Sequence, residues 1–197
     1  MITYISSDSE FNNTVDLINK ITTKENIDVS GIKELIDFKC KEVLKYLMIK
    51  YLKKDSVDPF SKVNLITIKK EFQLKYRAIE SSKNLIESLN NKAKSFPPSM
   101  KEQIKKTEDT AKEETEKLEN LKKELNKAEK EITILIILFY AMKNNNGYSL
   151  DFTKNLPIND IFNALNEYNV NTESFEVKEI INNNIRESDL NEILKER

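Results

Sequence analysis

Histidine and tryptophan are missing from this chain, and cysteine occurs once. Without histidine there is no imidazole base, no Ser-His or Cys-His nucleophile system, and none of the usual zinc, copper or haem ligation. A lone Cys40 permits no intrachain disulfide and no zinc site with two thiolates. Its place in the apolar segment 32–52 suits a small buried hydrophobe better than a reactive thiol.

Glycine is nearly as scarce. With only Gly31 and Gly147, neither a phosphate loop nor a dinucleotide fingerprint can be written. Long apolar runs are lacking too: Ile132–Met142 covers about half of the roughly 20 residues a membrane-spanning helix requires. Residues 1–13 have neither a basic head nor a sustained apolar run, so no signal peptide is read there. The expectation is a soluble intracellular protein of cytoplasm, nucleus or virion, without membrane contact.

Neither sign of charge dominates. The net charge is −1, so no global field draws the chain toward nucleic acid or an anionic surface. Lysine greatly outnumbers arginine, which occurs only as Arg77, Arg186 and Arg197, and Asn and Ile are abundant. AT-rich coding sequence produces that bias, pointing to a low-GC source and weakening the lysines as a phosphate-binding signal.

What the chain does contain is helical periodicity. With 33% charged residues, two glycines and four prolines, the composition favours long helices over a turn-rich sandwich or barrel. From Ile104 every seventh residue is apolar (Ala111, Leu118, Leu125, Ile132, Phe139), joined three residues further on by Leu121, Ala128, Leu135 and Met142. An earlier stretch answers with Leu65, Ile68, Phe72, Ile79, Ile86, Leu89 and Ala93. Pro97 and Pro98 separate the two, and the residues before a proline disfavour helix.

The reading is therefore an antiparallel coiled-coil hairpin over 59–143 with its tip near 96–100. Asp58 and Pro59 are expected to cap its first helix, and Ser99 with Glu102 to form a capping box on the second. In such a hairpin facing residues have numbers adding to about 200, which sets Leu65 against Leu135, Phe72 against Ala128 and Ile79 against Leu121. Lys75, Ser82, Thr107 and Glu114 interrupt the stripe as register-fixing polar positions. The β-branched stretches 63–68 and 132–139 offer paired strands as an alternative, against which the heptad phase runs unbroken through Met142.

The rest of the chain supplies a base. A helix is expected from Ser9 to Thr23 with Phe11, Val15 and Ile18 on one face, and another from Ser30 to Lys54 that is apolar around most of its circumference. Residues 134–140 are apolar on every side of a helix, so the root of the second hairpin helix must enter the base. After a stop at Asn144–Gly147 and an extended segment at Tyr148–Phe152, Pro157 opens a helix with Ile158, Ile161, Phe162 and Leu165. A further helix from Thr172 presents Phe175, Ile180 and Ile181, and a last one Leu190, Ile193 and Leu194. The fold class is thus all-α: a helical base built from both chain ends (1–58 and 144–197), from which the hairpin projects by roughly 50 Å at 1.5 Å per residue.

No catalytic, cofactor-binding or metal-binding residue is assigned. Acidic pairs such as Asp109 with Glu113, or Glu113 with Glu116, sit among lysines and read as a solvated helix face. The implied function is non-catalytic: a structural or interaction protein, subunit of a larger assembly, using the hairpin as spacer or docking surface toward a protein partner or copies of itself. Phe96 and Met100 at the tip are candidate partner contacts. The alternative is an accessory subunit touching nucleic-acid backbone through the lysine-rich helix 33–54, with Lys50, Lys53 and Lys54 as candidate phosphate contacts.

Overall fold

The computed structural model describes residues 5–22, 33–144 and 157–184. They form six helices: α1 (Asp8–Thr22), α2 (Lys33–Leu52), α3 (Lys62–Ser95), α4 (Lys101–Asn144), α5 (Ile158–Glu167) and α6 (Phe175–Asn184). The described residues contain no strand, and the protein is all-α. Residues 63–68 and 132–139 are helical, so the alternative of paired strands is excluded. The expected cap at Ser30, the segment 148–152 and the last helix around Leu190 lie outside the described residues.

Two compact units emerge. One holds the described residues up to Lys69 and from Glu129 onward; the other is Lys70–Ala128. In the first unit the middle of α2 is enclosed, with Cys40, Val43, Leu44, Leu47 and Met48 fully buried. The C-terminal part of α4 is apolar around its circumference and is covered accordingly: Ile132, Leu135, Ile136, Phe139 and Met142 have no accessible surface. Phe11 and Ile18 of α1 are buried, and α1 packs on α2 and α6.

Local chemistry sets the helix ends. The hydroxyl of Ser7 accepts the Glu10 N–H at 3.2 Å, while Glu10 accepts the Ser6 N–H at 2.7 Å, so α1 starts on a side-chain cap. At the end of α5, Asn169 adopts φ 59°, with Asn169 N–H donated to Asn166 O and Val170 N–H to Leu165 O. That is a Schellman closure, with buried Val170 and Leu165 as its apolar contact. The end of α2 uses Lys53 at φ 53°, its N–H donated to Ile49 O at 2.8 Å.

Three boundaries differ from the sequence reading. Asp58 and Pro59 do not begin α3. They form a turn in which Ser61 N–H reaches Asp58 O and Phe60 N–H reaches Asp58 Oδ1, because an Asp-Pro pair suits the first two positions of a β-turn as well as a helix start. Ser99 lies inside the tip turn closed by Met100 N–H on Pro97 O, and α4 begins at Lys101, one residue too late for a Ser99 cap. The helix expected from Thr172 begins at Phe175, because Asn171 holds a turn and Ser174 becomes the cap, its hydroxyl accepting the Val177 N–H. Val177 and Ile181 then form the buried face and Phe175 is left 78% exposed.

Within the second unit, α3 and α4 are antiparallel and joined by the turn at Pro97–Met100. Ser82 donates to Glu114 Oε1 at 2.5 Å, and Lys75 lies 3.6 Å from Glu124. Both pairs fall within about one helical turn of the expected register. Phe72, Ile79, Ala93, Ala111, Leu118 and Ala128 are buried between the helices, while Ile86, Leu89, Leu121 and Leu125 are only half-buried.

Candidate functional site

Three places hold chemistry beyond simple packing. The first is a polar tie in the first unit. Lys50 on α2 donates to Glu131 Oε1 on α4 at 2.8 Å and to Asp8 Oδ1 on α1 at 2.9 Å. Tyr46 donates to the same Asp8 oxygen at 2.6 Å, and Tyr51 donates to Glu131 Oε2 at 3.0 Å. The Tyr46 ring stacks on Phe11 at 5.4 Å, so an apolar contact and two hydrogen bonds fasten α1 to α2 together.

The electrostatics fix the protonation states. Burial pushes Tyr46 up to about 12, reinforced by its hydrogen bond to Asp8. Burial also raises Tyr51, with the Glu131 charge adding to it. For Lys50, burial opposes the charge, but the hydrogen bonds to Glu131 and Asp8 outweigh it and hold the ammonium above the ordinary lysine value. Near neutral pH both phenols are protonated donors and Lys50 is a cation shared by two carboxylates. Tyr46, Tyr51 and Lys50 each donate to a carboxylate within the cluster, an arrangement that suits a fastener better than a proton-transfer centre.

Other buried polar groups of the first unit are also satisfied. Glu129 accepts the Asn171 N–H at 3.2 Å, Thr133 donates to Glu129 O, and the Tyr168 hydroxyl donates to Leu65 O. Among the described residues no buried side-chain nitrogen or oxygen lacks a partner, and no group of three His, Cys, Asp or Glu could hold a metal ion.

The second place is the polar layer of the hairpin. Ser82 is buried, and its hydroxyl holds Glu114 below the usual carboxylate range, with Lys117 adding to the effect. Two interruptions of the stripe that look unrelated in sequence therefore satisfy one another. Thr107 spends its hydroxyl on Gln103 O within its own helix.

The third is the outer surface of the hairpin, where the two helices differ. In the second unit the exposed positions of α4 are dominated by Lys, Glu and Asp, and no large hydrophobic residue of α4 is exposed. On α3, Leu74 and Leu85 are 50% and 45% exposed. An open groove lies on the same unit, lined by Lys83, Ile86, Glu87, Asn90 and Lys94 of α3 with Leu118 of α4.

The residues singled out from sequence are scattered over these places. Phe96 and Met100 are both half-buried at the tip, with Lys92 Nζ 6.0 Å from the Phe96 ring centroid. Lys53 and Lys54 are exposed just after α2, whereas Lys50 is committed to Asp8 and Glu131. Sequence reasoning missed the tie because Lys50 meets partners 42 and 81 positions away. It also missed Leu74 and Leu85, although their spacing of eleven keeps two residues on nearly one helix face.

No helix of the described residues is long and apolar enough to cross a membrane. No family model, no curated protein and no solved structure matches the chain.

Proposed function

We propose that this protein is a non-catalytic interaction protein, a helical subunit whose α3–α4 hairpin serves as spacer and docking surface in a larger assembly. The observation that carries this reading is the pair of half-exposed leucines on the outer face of α3, set against an α4 exterior given over to charge. Leaving two leucines in water on a helix otherwise able to carry lysine and glutamate forgoes about 1–2 kcal/mol of burial each, a cost that a docked partner would recover.

Light scattering coupled to size-exclusion chromatography tests it, together with affinity capture from the native source. The expected result is a mass above that of a single 23.0 kDa chain, or a stoichiometric protein partner. A monomer at every concentration that captures nothing would overturn the reading.

Exposed Lys53 and Lys54 keep the nucleic-acid alternative in view, reduced by the engagement of Lys50. Binding to a labelled duplex that weakens with salt and disappears on Lys53→Glu with Lys54→Glu would favour it over the protein-docking reading.

A further inference from the structure

The outer face of α3 carries more than two stray leucines. Glu71, Leu74, Ala78, Ser81, Leu85, Ser88 and Lys92 are all exposed and follow one another at alternating spacings of three and four. This is the spacing that generates a helix-pairing stripe, and it runs apart from the buried one through Phe72, Ile79 and Ala93. Between Glu71 and Lys92 the stripe holds no charge, while Arg77 stands beside it.

Its order also reads nearly alike in both directions. Leu74 and Leu85 stand symmetrically, each four residues beyond the nearer of the small residues Ala78 and Ser81 that lie between them, and the ends carry opposite charges. A surface with that property is complementary to itself when turned end over end.

Building on the docking reading above, we infer that this stripe pairs with the same stripe of a second copy of the chain, the two α3 helices running antiparallel. In that register Leu74 of each chain lies against Leu85 of the other, and Ala78 lies against Ser81, where small side chains let the backbones approach. Glu71 then stands within about one helical turn of the other copy's Lys92 at both ends of the contact. A parallel pairing would set Glu71 against Glu71 and Lys92 against Lys92, which like-charge repulsion disfavours. The α4 exterior offers no such stripe, so α3 is the face of the hairpin that this contact uses.

Engineered thiols test the geometry in the full chain. Native Cys40 is buried and stays out of the reaction. Under mild oxidation the Ala78→Cys, Ser81→Cys double variant is expected to form a covalent dimer, while Glu71→Cys alone forms no disulfide-linked dimer because the two copies of that position lie on the order of 25 Å apart along the helix axis. Crosslinking of Glu71→Cys as readily as of the double variant, or of neither, would overturn the proposal.

Association by light scattering supplies the second readout. Leu85→Asp is expected to abolish the dimer with helix content by circular dichroism unchanged, since the residue faces solvent in the single chain. Glu71→Lys should weaken association roughly three- to tenfold, and adding Lys92→Glu should restore it. Retention of a dimer in Leu85→Asp overturns this contact while leaving the docking reading intact. A monomeric wild type that still binds a native protein does the same, and a monomer that binds nothing removes both.

Discussion

The two units solve the problem of specifying one packing in different ways. In the first, α2 and the end of α4 bury aliphatic and aromatic side chains with no surface left over, and the polar groups admitted there are tied in pairs and triads. In the second, a narrow stripe between two helices is partly open, and the register rests on polar contacts such as Ser82 with Glu114. Close packing supplies stability and polar layers supply uniqueness; this chain relies on the first in the first unit and on the second in the hairpin.

The largest effect expected from this contrast is at Phe139, which is fully buried. Phe139→Ala should cost about 3–5 kcal/mol in chemical denaturation. A loss below about 1 kcal/mol would mean that the first unit is not the better-packed one.

Next in size is the tie. Glu131→Ala leaves Tyr51 and Lys50 without their carboxylate, and because Lys50 keeps Asp8 and is a third exposed, about 2–3 kcal/mol is expected rather than the full cost of an orphaned buried charge. A double-mutant cycle with Lys50→Met should show coupling between the two positions.

In the hairpin, Leu121 is only half-buried, so Leu121→Ala should cost about 1–2 kcal/mol, with hydrogen exchange locating the loss in residues 70–128. A cost equal to that of Phe139→Ala would erase the distinction drawn between the units.

The smallest expected effect is one of pH. Tyr46 is raised from about 10 unfolded to about 12 folded, so the folded state binds more protons in that interval and stability falls as pH climbs through it. The contribution is fully present below pH 10. Raised Lys50 and Tyr51 act in the same direction, so Tyr46→Phe should flatten the alkaline decline without removing it. An unchanged slope would show that the Tyr46 hydroxyl is not buried against Asp8 in solution.

Much of this architecture was legible in the residues. Heptad spacing and the twin prolines marked α3, the tip and α4, because apolar period and a missing N–H act locally. The charge-free run after Glu131 announced a helix covered on all sides. Elsewhere local signals were ambiguous: Asp58 and Pro59 serve a turn as readily as a cap, and Phe175 faces water because Ser174 starts the helix there. The polar tie was not legible at all, since nothing near Lys50 in sequence names Asp8 or Glu131 as its partners. The outer stripe of α3 was present in the spacing but overshadowed by the stronger apolar one beside it.

The end of α2 carries one more implication. Lysine gains nothing locally from left-handed backbone, which costs roughly 1–2 kcal/mol outside glycine, so the turn at Lys53 stores strain. Strain of that kind persists only where the surrounding structure over-determines it. A synthetic peptide spanning residues 33–60, freed from that structure, should carry its helical spin past Leu52 toward Asp55, and α2 should acquire its full stop only when the rest of the first unit has closed around it.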